Sequence, residues 1–234
     1  MIMLKGNKIP SARPQTISER TILTAGNNKA EIKAYGLRLL LSRHPEIAKL
    51  KKTHTPSVHG NKSWSTSWVL IDHIRKTRLE PGSKILEIGC GWGMTGIFCA
   101  KKFDAAVTAA DIDPDIYPYL DLHAKINKVK VEFLNKGFDK ISSRRLQDVD
   151  MIIGSDICFW DDLIDPLRRL IQRARRASVG RILIADPGRP TFDSLVESLA
   201  PKRGVEVLDH EIKKPRRMSG KILDITNHLL GGRF

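Results

Sequence analysis

Between Ile85 and Gly96 the chain reads Ile85-Leu86-Glu87-Ile88-Gly89-Cys90-Gly91-Trp92-Gly93-Met94-Thr95-Gly96. This is a strand-like apolar run, a loop with glycine at alternate positions, and the start of a helical pattern. Glycine lets a backbone turn sharply and approach a ligand closely. The unpaired N–H groups of a helix start then face that ligand, so the segment is expected to hold a nucleotide-like molecule.

Gly91-x-Gly93-x-x-Gly96 also satisfies the dinucleotide pattern, which alone says little about which nucleotide is held. Glu87 narrows the choice. A carboxylate two residues before the first glycine is unhelpful beside a diphosphate and suits a ligand that carries an ammonium group. S-adenosylmethionine (SAM) carries both an ammonium and a sulfonium. A second apolar run ends in Ala109-Ala110-Asp111-Ile112-Asp113, with Asp111 24 residues after Glu87. A strand-end carboxylate there is expected to accept hydrogen bonds from ribose hydroxyls, and Ile112 to cover one face of adenine. Glu87, Gly89, Gly91, Gly93, Asp111 and Ile112 are therefore the expected cofactor residues.

A third cluster, Gly154-Ser155-Asp156-Ile157-Cys158-Phe159-Trp160, follows another apolar run. Open α/β sheets keep their chemistry at the C-terminal ends of their strands, so a carboxylate and two aromatics at this point predict an acceptor pocket. Ser155 belongs to its cofactor side and Asp156 with Phe159 to the reacting side. The sequence here is not the Asp/Asn-Pro-Pro-aromatic run of enzymes that methylate amino groups of bases. Cys158 also lacks the preceding proline of RNA cytosine-C5 enzymes.

These clusters need a scaffold that brings strand ends together. Lys84–Ile88, Ala106–Ala110, Val129–Leu134, Met151–Gly154 and Arg181–Ala185 read as strands, with helical patterns over Met94–Lys102, Ile116–Lys125 and Leu163–Ala174 between them. That alternation predicts a doubly wound, mostly parallel α/β sheet. Phe192–Leu199 reads as a helix capped by Thr191, and Val205–Asp209 and Lys221–Thr226 as a C-terminal antiparallel pair joined by a long charged connection. Upstream, apolar spacing predicts helices over Asn28–Leu41 and Ser67–Lys76. The first twenty residues read as a mobile arm. The expected division is a basic, partly helical N-terminal extension over 1–60 and a SAM-binding domain over 61–234.

The 234 residues carry 40 Lys and Arg against 26 Asp and Glu, a formal charge of +14. The charge is uneven. Residues 1–60 hold 11 basic and 3 acidic side chains, whereas 85–162 hold 9 and 13. An acidic centre between basic flanks suits a cationic ligand in the core and makes acidic partners such as RNA or a ribosomal particle worth weighing. With 41% hydrophobic and 28% charged residues, the composition excludes a disordered or collagen-like chain. No membrane-spanning apolar stretch and no signal peptide are read, so the expected setting is cytoplasmic. Three cysteines without metal-ligand spacing predict neither a disulfide framework nor a metal site.

Taken together, the strand, the Glu87-x-Gly-x-Gly-x-Gly loop and Asp111 resemble the class I, seven-strand SAM-dependent methyltransferases over roughly residues 64–230. Asp156-x-x-Phe159 resembles the Asp-x-x-Tyr/Phe motif of the protein-lysine methyltransferases within that class. Trp64-Ser-Thr-Ser-Trp68-Val-Leu70 is similar to their segment ahead of the sheet, which implies that Trp64 lies beside cofactor and acceptor. Ala185-Asp-Pro-Gly-Arg189 resembles the branch acting on the electron-transfer flavoprotein beta subunit. Where relatives carry a tryptophan against adenine, this chain has Asn135-Lys136, with Phe138 nearby. The resemblance implies methyl transfer from SAM to a lysine of a protein. Two other readings stay open: methylation of RNA or a small amine, and a non-catalytic basic RNA- or ribosome-binding module with a degenerate cofactor site.

Overall fold

Four of the five residues of Lys84–Ile88 are buried, a pattern only a central strand tolerates. The structure, a computed structural model, describes residues 30–57, 59–60, 62–77, 79–199 and 203–227. In chain order the elements are β1 (Glu31–Ala34), β2 (Leu37–Leu40), α1 (Pro45–Leu50), α2 (Thr66–Ile74), β3 (Lys84–Ile88), α3 (Met94–Phe103), β4 (Ala106–Asp111), α4 (Tyr117–Ile126), β5 (Glu132–Asn135), α5 (Ser143–Leu146), β6 (Met151–Ser155), α6 (Ile164–Arg176), β7 (Arg181–Asp186), α7 (Pro190–Leu199), β8 (Val205–Ile212) and β9 (Met218–Thr226).

Seven strands form one sheet in the order β5-β4-β3-β6-β7-β9-β8. The first five are mutually parallel, and β9 runs antiparallel to both β7 and β8. This is the doubly wound, mostly parallel sheet with a C-terminal antiparallel pair. The chain leaves β3 toward β4 and β5, then returns to lay β6 on the other side of β3. That reversal opens a crevice at the C-terminal ends of β3 and β6, where α/β sheets bind ligands.

Each sheet face has its own core. One gathers residues of β1, β2 and α1–α4 around Ile85, Val107 and Ile153. The other gathers α5, α6 and α7 around Leu86, Ile152 and Ile184. In α6, Leu167, Leu170, Ile171 and Ala174 recur at helical spacing and are buried. Arg168, Arg169 and Arg173 lie outside that stripe. Arg168 and Arg169 pair with Asp165, and Arg173 donates to the carbonyls of Phe138 and Asp139.

The N-terminal extension differs from expectation. A helix is predicted over Asn28–Leu41; within its described part, residues 31–40 instead form the β1–β2 hairpin, in register Glu31↔Leu40 to Ala34↔Leu37. Tyr35 and Gly36 both have positive φ, 53° and 78°, the geometry of a tight hairpin turn. Tertiary contacts fix it. The Leu40 N–H donates to His123 Nε2 at 3.2 Å and the Arg38 N–H to Asn127 Oδ1 at 2.8 Å, both on or just after α4. Among the described residues of the extension, helix is confined to the short α1, and the expected arm lies outside the described residues. Thr191 is inside α7 rather than capping it, and its hydroxyl donates to the Cys158 carbonyl. The connection between β8 and β9 is short, because both strands extend further than the apolar pattern suggested.

Candidate active site

The glycine loop is shaped by what packs behind it. Gly93 starts α3 with φ at 71°, and a Cβ there would lie 2.1 Å from Leu120 Cδ1. Gly91 also has positive φ, but a Cβ on it would meet nothing within 4 Å, so its backbone borders open space. That space is a cavity of about 300 Å³ at the C-terminal ends of β3, β4 and β6.

Nine of the ten residues anticipated from sequence line this one cavity: Trp64, Gly89, Gly91, Gly93, Asp111, Ile112, Ser155, Asp156 and Phe159. Glu87 is the exception. Its side chain turns beneath the loop, where Oε2 accepts the Gly96 N–H at 3.1 Å and so satisfies one of the unpaired donors of the first turn of α3. Full burial pushes its carboxyl up to about 8. The expectation that Glu87 and Asp111 both wall a cationic ligand is thus corrected: Glu87 braces the loop, and the carboxylates lining the cavity are Asp111, Asp139 and Asp156.

Asp111 ends β4 with its carboxylate held from two sides. Oδ2 accepts the Gly91 N–H at 3.0 Å and Oδ1 the Asp113 N–H at 3.1 Å. Burial raises its pKa, and these N–H groups oppose the rise. Ile112 is 65% exposed, an apolar side chain left uncovered at the cavity edge. Phe138 lines the same region, beside Lys136.

The other end of the cavity, where an acceptor pocket is expected, is aromatic. His59 stacks on Phe159 with ring centroids 4.6 Å apart, and Trp64 meets Phe159 edge-on at 5.1 Å. Trp160 is 46% exposed at the rim and lies 5.3 Å from His59. Lys62 places Nζ 4.1 Å from the centroid of a Trp64 ring, so this wall already engages an ammonium group. At the back, Ser155 shares a 2.9 Å hydrogen bond with Ser67. Asp156 is buried with φ at 57°, a strained setting for a residue with a side chain. Burial raises its pKa, against the pull of Thr66 and Arg189.

Residues 45–194 match the family described as Lysine methyltransferase. The chain belongs to that family. Among curated proteins, it is similar to the Electron transfer flavoprotein beta subunit lysine methyltransferase of Rattus norvegicus, at 32% identity over 112 residues, which are 47% of this chain and 43% of the relative. The Xenopus laevis protein of the same name is 27% identical over 144 residues, 58% of this chain and 56% of the relative. The chain therefore spans about half the length of the curated relatives it matches. Among solved structures, the Pyrococcus abyssi tRNA (uracil-54, C5)-methyltransferase in complex with S-adenosyl-L-homocysteine superposes with a TM-score of 0.56 at 20% identity, over 83% of this chain and 42% of that one. That likeness establishes the class I methyltransferase fold alone.

The cavity and its surroundings also include residues that the sequence did not single out. His59 and Lys62 lie in a loop without periodicity and carried no signal. Trp92, inside the glycine loop, is buried and stacks on Tyr119 and His123, while its Nε1 donates to the Gly60 carbonyl at 2.9 Å. It ties the segment ahead of α2 to the loop. Asn135, at the end of β5, bonds the main-chain carbonyls of Asp111 and Ile112. Among the described residues, no group of His, Cys, Asp and Glu is arranged to hold a metal.

The donor set fits SAM. A carboxylate fixed at a strand end, glycine backbone opening onto the cavity and the bare Ile112 match ribose hydroxyls, the amino-acid portion and adenine in turn.

Proposed function

We propose that the chain transfers a methyl group from SAM to a lysine side chain of a protein. The observation that carries this reading is the single cavity walled at one end by the glycine loop and Asp111, and at the other by Asp156, Phe159 and Trp64. The matched family supports the substrate class, as do the relatives' names.

When bound, SAM supplies an electrophilic methyl group on a positively charged sulfur. Gly89, Gly91, Gly93, Asp111, Ile112 and Ser155 hold it in this reading, with Trp64 at the junction of cofactor and acceptor. The lysine must lose its proton to react, and at pH 7 that costs about 4.6 kcal/mol from an ordinary value near 10.4. Burial among Phe159, Trp64 and Trp160 favours the neutral amine, whereas the Asp156 carboxylate favours the ammonium. Asp156 therefore first orients the arriving ammonium, whose proton passes to solvent before the neutral amine attacks, and later accepts a proton from the methylated nitrogen. The aromatic faces attract the cation by roughly 0.5–2 kcal/mol each. Alignment of the amine with the methyl group is the larger contribution, since positioning supplies roughly 7–11 kcal/mol in favourable cases.

Incubating the purified protein with radiolabelled SAM and a cell lysate tests the reading. A labelled protein band that acid hydrolysis resolves to methyl-lysine is expected. Label confined to RNA or small amines refutes the substrate class, and failure to bind SAM at millimolar concentration favours a non-catalytic module. Asp156→Ala is expected to abolish transfer while leaving SAM binding largely intact. The three cysteines are free thiols, which supports a reducing, cytoplasmic setting. Cell fractionation checks it.

A further inference from the structure

Behind the acceptor end of the cavity lies an ion triad. The loop after β7 brings Arg189 between two buried carboxylates: its Nη1 donates to Asp186 Oδ2 at 2.7 Å and its Nη2 to Asp156 Oδ1 at 2.9 Å. The same guanidinium lies over the Phe159 ring, 4.5 Å from its centroid. Asp186 is fully buried and accepts the Gly188 and Arg189 N–H groups on Oδ1, at 2.9 and 2.8 Å, which fixes the loop that carries the arginine. Arg189 itself does not line the cavity, whereas Asp156 and Phe159 do.

One side chain thus reaches both residues of the acceptor motif from behind. A planar guanidinium can bond two carboxylates and stack on a ring at once, which a lysine ammonium cannot. We propose that Arg189 is the positioning residue of the acceptor site, keeping Asp156 anionic and aimed while it clamps the Phe159 ring, so that one net negative charge faces the arriving ammonium. The triad of one cation and two anions carries that charge. The identity of the arriving group rests on the lysine-methyltransfer reading, but the action of Arg189 on Asp156 does not.

The groups facing Asp156 are Arg189 and Asp186 from β7 and its loop, Thr66 from α2 and the Cys158 thiol from its own loop, with His59, Lys62, Asp111, Lys136 and Asp139 lining the same cavity. Burial and Asp186 push the Asp156 carboxyl up, and Arg189 and Thr66 hold it down. Cys158 is itself pushed up to about 12 by burial, so its thiol is neutral and adds no charge at ordinary pH. Removing Arg189 leaves the Asp186 charge and burial opposed only by Thr66.

The test follows the Asp156 carboxyl directly, by carbon-13 NMR titration of protein labelled at aspartate, with the resonance assigned by its loss in Asp156→Asn. In Arg189→Gln the midpoint is expected to rise by about one unit or more, the usual effect of losing an adjacent cation. In Arg189→Lys it should rise less. In parallel, the acidic limb of the kcat/KM profile should move to higher pH with both variants, while affinity for S-adenosylhomocysteine stays within about two-fold. A midpoint that stays in place overturns the proposal, as does a loss of activity with an unmoved pH profile, the mark of a merely structural tie. Should Arg189→Gln fail to fold, the Lys variant decides alone by the direction of its midpoint. If the wild-type protein labels no protein lysine, the methyl-transfer reading fails while the titration still judges Arg189.

Discussion

The Asn135 side chain donates from one Nδ2 to the main-chain carbonyls of Asp111, at 3.1 Å, and Ile112, at 2.9 Å. The end of β5 thereby holds the exit of β4, the stretch that presents a carboxylate and an uncovered apolar side chain to the cavity. Asn135→Ala removes both bonds. Net hydrogen bonds of this kind contribute roughly 0.5–1.5 kcal/mol each to stability, so the melting temperature is expected to fall by a few degrees, and affinity for S-adenosylhomocysteine to fall with it as the exit of β4 loosens. Isothermal titration calorimetry checks it, and an affinity equal to that of the parent would remove Asn135 from the account.

Glu87 makes folding stability depend on pH. Its folded-state value, raised to about 8 from an ordinary 4.5, means that the folded protein holds a proton the unfolded chain has released. The stability linked to this proton is fully present below about pH 4.5 and is lost as pH rises through about 8. Glu87→Gln keeps the shape without the titration. The melting temperature of the variant relative to the parent should therefore climb between pH 5 and 8 and level off above. A difference that is flat across this range would show that Glu87 is ionised in the fold.

Trp160 offers an exposed ring at the rim, beside His59 and Phe159. Trp160→Ala should raise KM for the protein acceptor about five- to ten-fold, within the range of a cation–π contact, and leave S-adenosylhomocysteine affinity and melting temperature nearly unchanged. Steady-state kinetics with the labelled acceptor separates the effects.

The hairpin ahead of the seven-stranded sheet shares its core, since Leu37, Leu39 and Leu40 are buried in one cluster with Ile71 and Leu122. Leu39→Ala is expected to destabilise the protein by roughly 2–5 kcal/mol. Urea denaturation should show that loss in a single transition; a separate early transition would mean that the hairpin folds independently.

The parallel part of the fold was legible because each central strand is buried on both faces and reads as an unbroken aliphatic run. Met151–Ser155 and Arg181–Asp186 stand close to where their patterns placed them. Residues 28–41 were not legible. Ile32, Tyr35, Leu39 and Leu40 fit a helical stripe, but the decisive contacts come from His123 and Asn127, far along the chain. The cavity-lining residues were readable because glycine spacing and strand-end carboxylates are local signals. The direction of Glu87 was not, because alternation along a strand buried on both faces does not say which face α3 covers. Arg189 was visible only as part of a run, and its two carboxylate partners are set by the sheet order.

The last of the described strands, β9, does not form the border of the sheet. Because β9 lies between β7 and β8, a nascent chain that has emerged only as far as Ile212 offers β8 no neighbour, and β7 an open flank. The sheet closes on that side when β9 is laid between the two. Until then two unpaired backbone edges stand ready to join strands of other chains, and aggregation during synthesis is the hazard this topology must outrun.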